Sequence, residues 1–430
     1  MFLSAIFTVF FLFGQQFSNA QTLKLVNLVY RHGDRSPVNV FPTDPNTEAV
    51  WPQGLGWLSK VGMDQQYALG KWLHDRYMVN FTGFMNETYK NYEITVQSSD
   101  VNRTLMSAYC NLAGLYPPDP NNTWNPSLSW QPIPVHTRPT IEDNMLNMGA
   151  PCPRYDELYE EAMNSEVIKE EERKNKAFYQ FVGKESGYGS EDVATLWKIG
   201  DCLFCEKQHE FTWASWVNET IARKIANVSH WQFDLLFSGK ERSRLKGGPL
   251  LKDMIKNMQS FVDGTNNRTK MFMYSAHDST VAALANALQV FNLIQPPYTT
   301  TLIMELYEDN SGGYYVQMIY KNTTSTTYTL NLPGCTTSCP LDQFIQLTKD
   351  RVPVDWNAEC KAKKDDNSTC ELGLIIIIVL GVLLLVLVLA VLFVQTFNFI
   401  SEDMYTVSVQ VDDILFVTMN CTRRIEFISQ

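Results

Sequence analysis

The sequence predicts an α/β protein in which a central, mostly parallel sheet is flanked by helices and carries an inserted helical cap. Residues 25–30 form an almost unbroken apolar run, as expected of a strand that is buried on both faces of a parallel sheet. Residues 270–275 form a second such run, and the alanines and leucines that follow favour a helix. Residues 153–229 are instead charged and helix-prone, which indicates a separate cap domain.

The amino end, residues 1–20, is predicted to be a signal peptide. Residues 2–13 are apolar, and the tripeptide that ends at Ala20 has the small-x-small pattern of a cleavage site. A first transmembrane helix is the alternative, but the run is short for the roughly 30 Å of a bilayer's hydrocarbon core. The catalytic α/β domain is then predicted to comprise residues 21–152 and 230–360.

Composition fits an exported globular enzyme. The chain has 430 residues, of which 45% are hydrophobic and 19% are charged, enough for a sizeable core and a second lobe. Its formal net charge of −11 argues against nucleic acid as a partner. A local cluster of arginines is opposite in sign to this net charge and is therefore a stronger indication of a functional site.

Such a cluster follows the first predicted strand. Arg31, His32 and Arg35 lie where ligands bind in open α/β sheets, at the carboxyl end of a strand, and Gly33 allows close backbone approach. Guanidinium groups match phosphate oxygens, and positive charge around a histidine favours its neutral, nucleophilic form. The motif therefore predicts an anion site. The alternative is a solvated charged turn after a strand.

Two later strand ends repeat this pattern. Arg103 stands at the start of a helix that follows the predicted strand at residues 94–97, where backbone N–H groups suit a phosphate. His277 and Asp278 follow the strand at residues 270–275. The three strand ends are expected to converge on one crevice, with Asp278 as a proton donor. Helix capping is the alternative role for this aspartate.

These motifs resemble the signatures of a known family. Residues 31–37, RHGDRSP, resemble the R-H-G-x-R-x-P signature of the histidine acid phosphatases, and residues 276–278, AHD, are similar to that family's second signature. The likeness extends over residues 23–360. Residues 102–114 and 130–136 look closest to the lysosomal and prostatic members.

The resemblance implies a phosphoglycerate-mutase-like fold and hydrolysis of phosphate monoesters through a phosphohistidine. His32 would be the nucleophile, and Asp278 would protonate the leaving oxygen and later assist water. The implied phosphate-binding residues are Arg31, Arg35, Arg103 and His277. Because an aspartic acid donates best where it is protonated, an acidic optimum is expected. No cofactor or metal is implied, and the histidines and cysteines show no convincing ligand spacing.

The cysteines and sequons fit an oxidising, glycosylating compartment. The resemblance implies two disulfides, Cys152 with Cys360 and Cys335 with Cys339. Cys205 matches a family cysteine whose partner position is Thr301 here, so that bridge is expected to be absent. Cys110, Cys202 and Cys370 have no assigned partner. The predicted glycosylation acceptors are Asn80, Asn86, Asn121, Asn218, Asn227, Asn267, Asn322 and Asn367.

One further departure from the family pattern lies beside Arg103. Asn102 replaces the aspartate usual in related phosphatases and creates a sequon, where we do not expect a glycan so close to the crevice.

Residues 130–136 are rich in proline and aromatic residues, which suits an edge or a partner surface. In related phosphatases this stretch lies at a dimer interface, so the resemblance implies a homodimer.

A second apolar run, residues 373–394, is predicted to be a transmembrane helix. It carries no charged residue and is long enough to span a bilayer, whereas a buried core helix of that length is rare. With the signal peptide it predicts a single-pass type I protein, whose linker is residues 361–372 and whose cytoplasmic tail is residues 395–430. Lysines on the luminal side oppose the usual charge bias, but a large translocated domain overrides it. The tail lacks a clear tyrosine-based sorting signal, so lysosome, endosome and plasma membrane all stay open.

Three enzyme functions and one binding function stay open at this point. An acid phosphatase acting on small phosphate monoesters or phosphoproteins is favoured. A phytase shares both signatures and differs mainly in its cap and pocket charge, while a phosphoglycerate-mutase-like activity is disfavoured by export. The binding alternative is an ectodomain that has lost turnover, against which the intact site residues argue. The motifs recognise a phosphate and do not identify the group that carries it.

Overall fold

The computed structural model describes residues 21–119, 123–189, 193–266, 268–322, 326–362 and 377–390. The chain divides into two units between Ala362 and Lys363. The first unit contains a sheet with helices on both faces, together with a helical region inserted between its strands. Its strands are β1 Thr22–Arg31, β2 Ile94–Ser98, β3 Met271–Ala276, β4 Thr301–Glu308, β5 Tyr314–Lys321, β6 Thr327–Leu330 and β7 Cys339–Pro340.

The sheet is mixed, and the prediction of a mostly parallel sheet is wrong. Its order is β2-β3-β1-β4-β5-β6, with β7 paired to β5. Only β2, β3 and β1 are parallel, while β4 and the strands that follow it are antiparallel. A turn at Asp309 joins β4 directly to β5, and this pair is antiparallel because a short hairpin can only connect antiparallel strands. The carboxylate of Asp309 accepts hydrogen bonds from the backbone N–H groups of Ser311 and Gly313 in this turn.

Strand β1 lies between β3 and β4, and its side chains alternate between two apolar layers. Leu25 and Val29 pack toward helices α8 Gly248–Val262 and α9 Asp278–Ala287. Leu28 and other even-numbered residues pack on the opposite face, toward α1 Lys60–His74 and α2 Asn102–Leu115. Both layers exclude water, and each fully buried aliphatic side chain contributes roughly 1.5–3 kcal/mol of transfer free energy. The near-continuous apolar run of β1 follows from this burial on both faces.

The helices α1 and α2 approach each other closely because glycines stand at their contact. A Cβ atom on Gly70 would collide with the carbonyl of Asn111, and one on Gly114 would collide with the carbonyl of Tyr67. Beyond these two, the unit contains α3 Pro153–Met163, α4 Glu166–Ser186, α5 Val193–Gln208, α6 Glu219–Phe237, α7 Lys240–Lys246, α10 Leu341–Thr348 and α11 Trp356–Glu359, with short turns at Glu48–Val50, Asp75–Asn80 and Lys349–Arg351.

The inserted helical region has its own apolar core. Tyr179, Leu196 and Ile225 come from α4, α5 and α6 and pack together, with Phe41 from the long loop that follows β1. Helix α6 continues without a break to Phe237 because its buried residues keep helical spacing to that point. The predicted end of the cap at residue 229 therefore falls inside a helix.

The structure contains the two disulfides that the resemblance implies, Cys152–Cys360 and Cys335–Cys339. Within the described ranges, Cys110, Cys202 and Cys205 are free thiols. Of the predicted sequons, Asn80, Asn86, Asn218 and Asn227 are exposed and Asn322 is half-buried.

Several predictions fall outside the described residues. These are the signal peptide, the tail, most of the juxtamembrane linker, Cys370, and the sequons at Asn121, Asn267 and Asn367. Residues 377–390, in the second unit, form a helix that covers the middle of the predicted membrane span. In the part of the chain that the structure describes, no helix is both long enough and apolar enough to cross a bilayer.

Candidate active site

The carboxyl ends of the three parallel strands meet at one edge of the sheet. The backbone N–H of His32, just past β1, donates to the carbonyl of Ala276 at the end of β3, with N···O 2.9 Å. The backbone N–H of Ser99, just past β2, donates to the carbonyl of Ser275 over 3.1 Å. This is the edge at which ligands bind in α/β sheets. The structure therefore brings together all six residues that the sequence predicts for the site.

His32 is buried at 1% exposure, and one hydrogen bond determines its tautomer. Its Nδ1 atom lies 2.8 Å from the carbonyl oxygen of Gly33. Because a carbonyl only accepts, Nδ1 carries the proton and the lone pair is on Nε2. Burial lowers the pKa of His32 well below its ordinary value, and the positive charge of the surrounding arginines lowers it further. The imidazole is therefore neutral and nucleophilic even at acidic pH.

The loop around His32 depends on close packing against α1. A Cβ atom on Gly33 would collide with the backbone of Gly62. Asp34 is fully buried, and its carboxylate accepts from the hydroxyl of Ser59, the residue that caps α1. His209, just after α5, contacts the same carboxylate over 2.7 Å. The loop is thus held between α1 and the inserted helical region.

Three guanidinium groups surround His32, and each has a buried Nε–H that finds no acceptor among the described residues. These groups belong to Arg31, Arg35 and Arg103. Arg31 stacks on the ring of Tyr298 at 4.3 Å and donates from Nη1 to the carbonyl of Pro296 over 2.6 Å. Buried polar groups in proteins are nearly always hydrogen-bonded, so three converging donors without acceptors indicate a site built for an anion.

His277 lies beside His32, with ring centroids 5.6 Å apart, and both of its ring nitrogens are engaged. The guanidinium of Arg103 can only donate, so its contact of 3.3 Å makes Nδ1 of His277 the acceptor. Nε2–H then donates to the hydroxyl of Ser99 over 2.9 Å. Burial, with help from Arg103, lowers the pKa of His277 to about 3. This second imidazole is also neutral at acidic pH.

Asp278 begins α9 and faces Arg31, with Nη2···Oδ2 at 2.9 Å. Oδ2 also accepts from the amide of Gln295 over 3.0 Å, and Oδ1 accepts from the backbone N–H of Ser279 over 2.8 Å. Burial alone raises the pKa of Asp278, but Arg31, Arg35 and the Gln295 hydrogen bond outweigh it and lower the pKa to about 2. The carboxylate is therefore ionised when no anion is bound between these groups.

Residues that the sequence analysis did not identify complete the site. Asp201 of α5 is nearly fully buried and accepts from both terminal nitrogens of Arg35, over 2.7 and 3.1 Å. Gln295 and Tyr298 come from the loop before β4 and contact Asp278 and Arg31. No sequence pattern marks these residues. Ser99 follows the predicted strand at residues 94–97, and this position at a strand end was the available signal.

A cavity of about 490 Å³ opens in front of these groups, within the size range of small-molecule sites. Its lining combines the charged and imidazole groups with a set of large aromatic side chains, here called the aromatic wall. The aromatic wall is formed by Tyr155, Tyr159, Trp197, Phe233 and Phe237. A larger cavity of about 770 Å³ between α4 and α6 contains none of the site residues.

One other group of side chains has the composition of a metal site. Asp44, Cys202 and Glu206 are buried, with their ligand atoms within 4.8 Å of one another. The thiol of Cys202 donates to Asp44 over 2.9 Å, and the amide of Asn46 donates to Glu206 over 2.6 Å. Burial raises the pKa of Glu206 to about 8 and that of Cys202 well above its ordinary value. We therefore describe the group as protonated and hydrogen-bonded.

Known proteins resemble this chain in both sequence and fold. The sequence profile of the histidine phosphatase superfamily (branch 2) matches residues 22–321. Prostatic acid phosphatase of Bos taurus is 45% identical over 347 residues, which cover 79% of this chain and 88% of the relative. Lysosomal acid phosphatase of Xenopus laevis is 41% identical over 393 residues, which cover 90% of this chain and 89% of the relative.

Among solved structures, the apo form of a Hafnia alvei phytase aligns with a TM-score of 0.62. The alignment covers 79% of this chain and 98% of the phytase at 18% identity. At that identity the likeness concerns the fold alone.

Proposed function

The chain belongs to the histidine phosphatase superfamily and is an acid phosphatase, and we propose that it hydrolyses phosphate monoesters through a phosphohistidine on His32. One observation carries this proposal. The Nδ1–H of His32 is held by the carbonyl of Gly33, which leaves the lone pair of Nε2 free among three arginines. A neutral imidazole surrounded by phosphate-binding donors is what attack on phosphorus requires.

In the first step, Nε2 of His32 attacks phosphorus in line with the leaving oxygen. The P–N bond forms as the P–O bond to the leaving group breaks, and that oxygen departs with the bonding electron pair. Arg31, Arg35 and Arg103 stabilise the charge that spreads over the phosphoryl oxygens. The phosphate monoanion of the substrate supplies a proton, and Asp278 passes it to the leaving oxygen.

In the second step, water attacks the phosphohistidine. The P–N bond breaks, Nε2 of His32 regains its lone pair, and Asp278 takes the proton from the attacking water. Asp278 then gives this proton to the departing phosphate, and the enzyme returns to its starting state with Asp278 ionised. The sequence of steps needs no redox change and consumes one water per turnover.

His277 takes a more specific role than general phosphate binding. Both of its nitrogens are already used, one by Arg103 and one by Ser99. It therefore orients the guanidinium of Arg103, and it can donate to a phosphate oxygen only if Nδ1 is protonated or exchanges its contact with Arg103. Within the predicted phosphate-binding group, His277 therefore acts by holding Arg103.

The charge of the pocket favours small monoesters or phosphoproteins over phytate. Beyond the phosphate-binding arginines, Lys246 is the one further Lys or Arg among the described residues that line the cavity. Its ammonium group already donates to the carbonyls of Met148 and Ala150, over 2.7 and 3.1 Å. Few free cations are thus left for a substrate that carries many phosphates, whereas the aromatic wall suits an apolar or aromatic leaving group.

We further propose that the enzyme works in a lysosomal or endosomal lumen, or outside the cell, as a glycosylated single-pass membrane protein. The named lysosomal relative, the two disulfides and the exposed sequons support this location. The apolar residues 373–394 would be the anchor. The same acid location fits an enzyme whose nucleophile stays neutral at low pH.

A homodimer is proposed at the edge of the sheet beside β2. The backbone of His136 pairs with β2, donating to Val96 and accepting from Ser98 over 3.0 and 2.8 Å. Residues 130–136 thus extend this edge, and Trp124 and Trp130 are exposed beside them. Sedimentation of the purified protein would detect the dimer, and Trp130→Ser should shift it toward monomer.

The proposed function is tested with the purified full-length protein in detergent. Release of inorganic phosphate from p-nitrophenyl phosphate, a phosphotyrosine peptide and phytate is measured at mildly acidic pH. We expect the two aryl phosphates to be turned over and phytate to be turned over at least about tenfold more slowly. Turnover of phytate as fast as the aryl phosphates would favour the phytase function. No turnover of any substrate would favour a binding ectodomain.

A further inference from the structure

One face of helix α5 contacts the loop that carries the catalytic histidine. Asp201 and Cys205 on α5 and His209 just after its end follow one another at intervals of four residues. The backbone N–H of His209 still donates to the carbonyl of Cys205, so the three side chains lie on a single stripe. The stripe contacts Arg35 through Asp201 and Cys205, and it contacts Asp34 through His209. The inserted helical region thus contacts the loop at two consecutive side chains, Asp34 and Arg35.

The contact between Asp201 and Arg35 uses only one edge of the guanidinium. The two carboxylate oxygens accept from Nη1 and Nη2 over 3.1 and 2.7 Å, which is the bidentate arrangement. The Nε–H of Arg35 is buried and has no acceptor among the described residues. A guanidinium has a second fork, formed by Nε and Nη2, and this fork is left for an anion.

Asp201 is itself fixed. Only 2% of its side chain is exposed, and Oδ2 also accepts from the backbone N–H of Val38 over 3.2 Å. Nη1 of Arg35 further donates to the carbonyl of Ser36 over 3.1 Å and contacts the thiol of Cys205 over 3.5 Å. These contacts leave the guanidinium plane little freedom, and a planar donor that is already oriented loses less entropy when it binds.

We propose that Asp201 is a positioning residue for the phosphatase reaction, which turns the Nε edge of Arg35 toward the phosphate and so makes phosphate binding depend on the docking of α5. The inference rests on the proposed function, because it takes Arg35 to be a phosphate ligand. Asp201 does not touch the substrate. It acts on the reaction through Arg35, which distinguishes it from an ion pair that only holds the helical region in place.

A double-mutant cycle in the full-length protein separates these two roles. The variants are Asp201→Asn, Arg35→Gln and the double substitution, and the measurements are kcat/KM for p-nitrophenyl phosphate, the inhibition constant of orthovanadate and the melting temperature. Asp201→Asn alone should lower kcat/KM by about 10- to 100-fold and weaken vanadate binding similarly, since the buried partner of a bound cation is lost. In the Arg35→Gln background the same change should alter both values by less than about threefold, because residues that act through one another are not additive.

A matched control is Asp234→Asn, on α6 of the same helical region and outside the stripe. It should keep kcat/KM and vanadate binding within about twofold of the wild type. Asp201→Glu keeps the charge and should recover part of the lost kcat/KM. If Asp201→Asn does not fold, the double variant, which buries no unpaired charge, is compared with Arg35→Gln alone.

The outcomes are distinguishable. Equal fold-losses from Asp201→Asn in both backgrounds, or a further loss of about tenfold or more in the double variant relative to Arg35→Gln, would overturn the positioning role. If instead Arg35→Gln alone keeps kcat/KM and vanadate binding within about twofold, the assignment of Arg35 as a phosphate ligand is wrong, and the proposed function fails at that residue before Asp201 is tested.

Discussion

Nη2 of Arg31 lies 2.9 Å from Oδ2 of Asp278, so the group that is proposed to protonate the leaving oxygen is ionised in the free enzyme. The sequence-based expectation of an aspartic acid that holds its own proton at acidic pH does not fit this contact, because the positive field lowers the pKa of Asp278 to about 2. A bound phosphate would lie among the same arginines and offset their charge, which allows Asp278 to accept a proton. The proton must then arrive with the substrate.

The first prediction is that the fall of kcat/KM at higher pH, the basic limb of its pH profile, is set by the second pKa of the substrate and not by the pKa of an enzyme group. A phosphate monoester is a monoanion below its second pKa of about 6, and only the monoanion brings the proton that Asp278 transfers. Activity should therefore be present below that pKa and fall as the pH rises through it. Profiles are measured for two monoesters whose second pKa values differ, and the limb should move with the substrate. A limb at one pH for both substrates would assign it to the enzyme.

Asp278→Asn should slow substrates with poor leaving groups far more than activated ones. Alkyl phosphates need a proton on the departing oxygen, and we expect kcat to fall by roughly 100-fold or more for them. p-Nitrophenyl phosphate leaves as a stabilised phenolate and should lose much less. The measurement is the dependence of kcat on leaving-group pKa, which should steepen in the variant. Equal losses across the series would exclude Asp278 as the general acid.

His32→Ala should abolish formation of the phosphoenzyme while leaving the fold intact. Substrate labelled in its phosphate group is mixed with enzyme and quenched in base, in which phosphohistidine is stable, and the bound label is located by peptide mapping. His74→Ala is the matched control, because His74 lies at the end of α1, outside the site, where its Nδ1 contacts the carbonyl of Leu115 over 2.9 Å. The control should form the phosphoenzyme as the wild type does. Phosphohistidine in His32→Ala would disprove the assignment of the nucleophile.

The sequence predicted where the candidate site residues meet better than it predicted the sheet around them. Arg31, His32 and Asp278 could be placed because each follows a buried strand, and parallel strands end at the same edge. The direction of β4 could not be predicted from its apolar run, since burial on both faces looks the same in parallel and antiparallel strands. Asp201 was missed because its contact with Arg35 spans 166 residues, and only tertiary packing brings α5 to the loop.

The boundary of the helical region could not be predicted from composition either. Composition changes after residue 229, but the buried spacing of α6 continues to Phe237, where the helix ends. Composition records which residues are charged, whereas helix length depends on what the apolar face packs against. Phe233 and Phe237 pack on alanines of α9, and this contact extends α6 toward the active-site cavity.

The last prediction concerns Glu206, which lies beside Asp44 and Cys202 inside the helical region. Burial, together with Asp44, raises the pKa of Glu206 from 4.5 to about 8, against the opposing hydrogen bond from Asn46. The folded state therefore holds a proton that the unfolded chain releases above about pH 4.5. The free energy of unfolding should be unaffected by this group below that pH and should decline as the pH rises toward about 8.

Glu206→Gln should remove this decline, because an amide resembles a protonated carboxyl and can still donate to Asp44. Near pH 4 the free energies of unfolding of the variant and the wild type should differ by less than about 1 kcal/mol. Near pH 8 the free energy of unfolding of the variant should be higher by about 1–4 kcal/mol. Thermal melts across this pH range test the difference, with the exposed Glu166→Gln as the control that should follow the wild type at every pH. A constant difference between Glu206→Gln and the wild type would show that Glu206 does not hold the proton. A larger advantage for the variant at low pH would contradict the sign of the raised pKa.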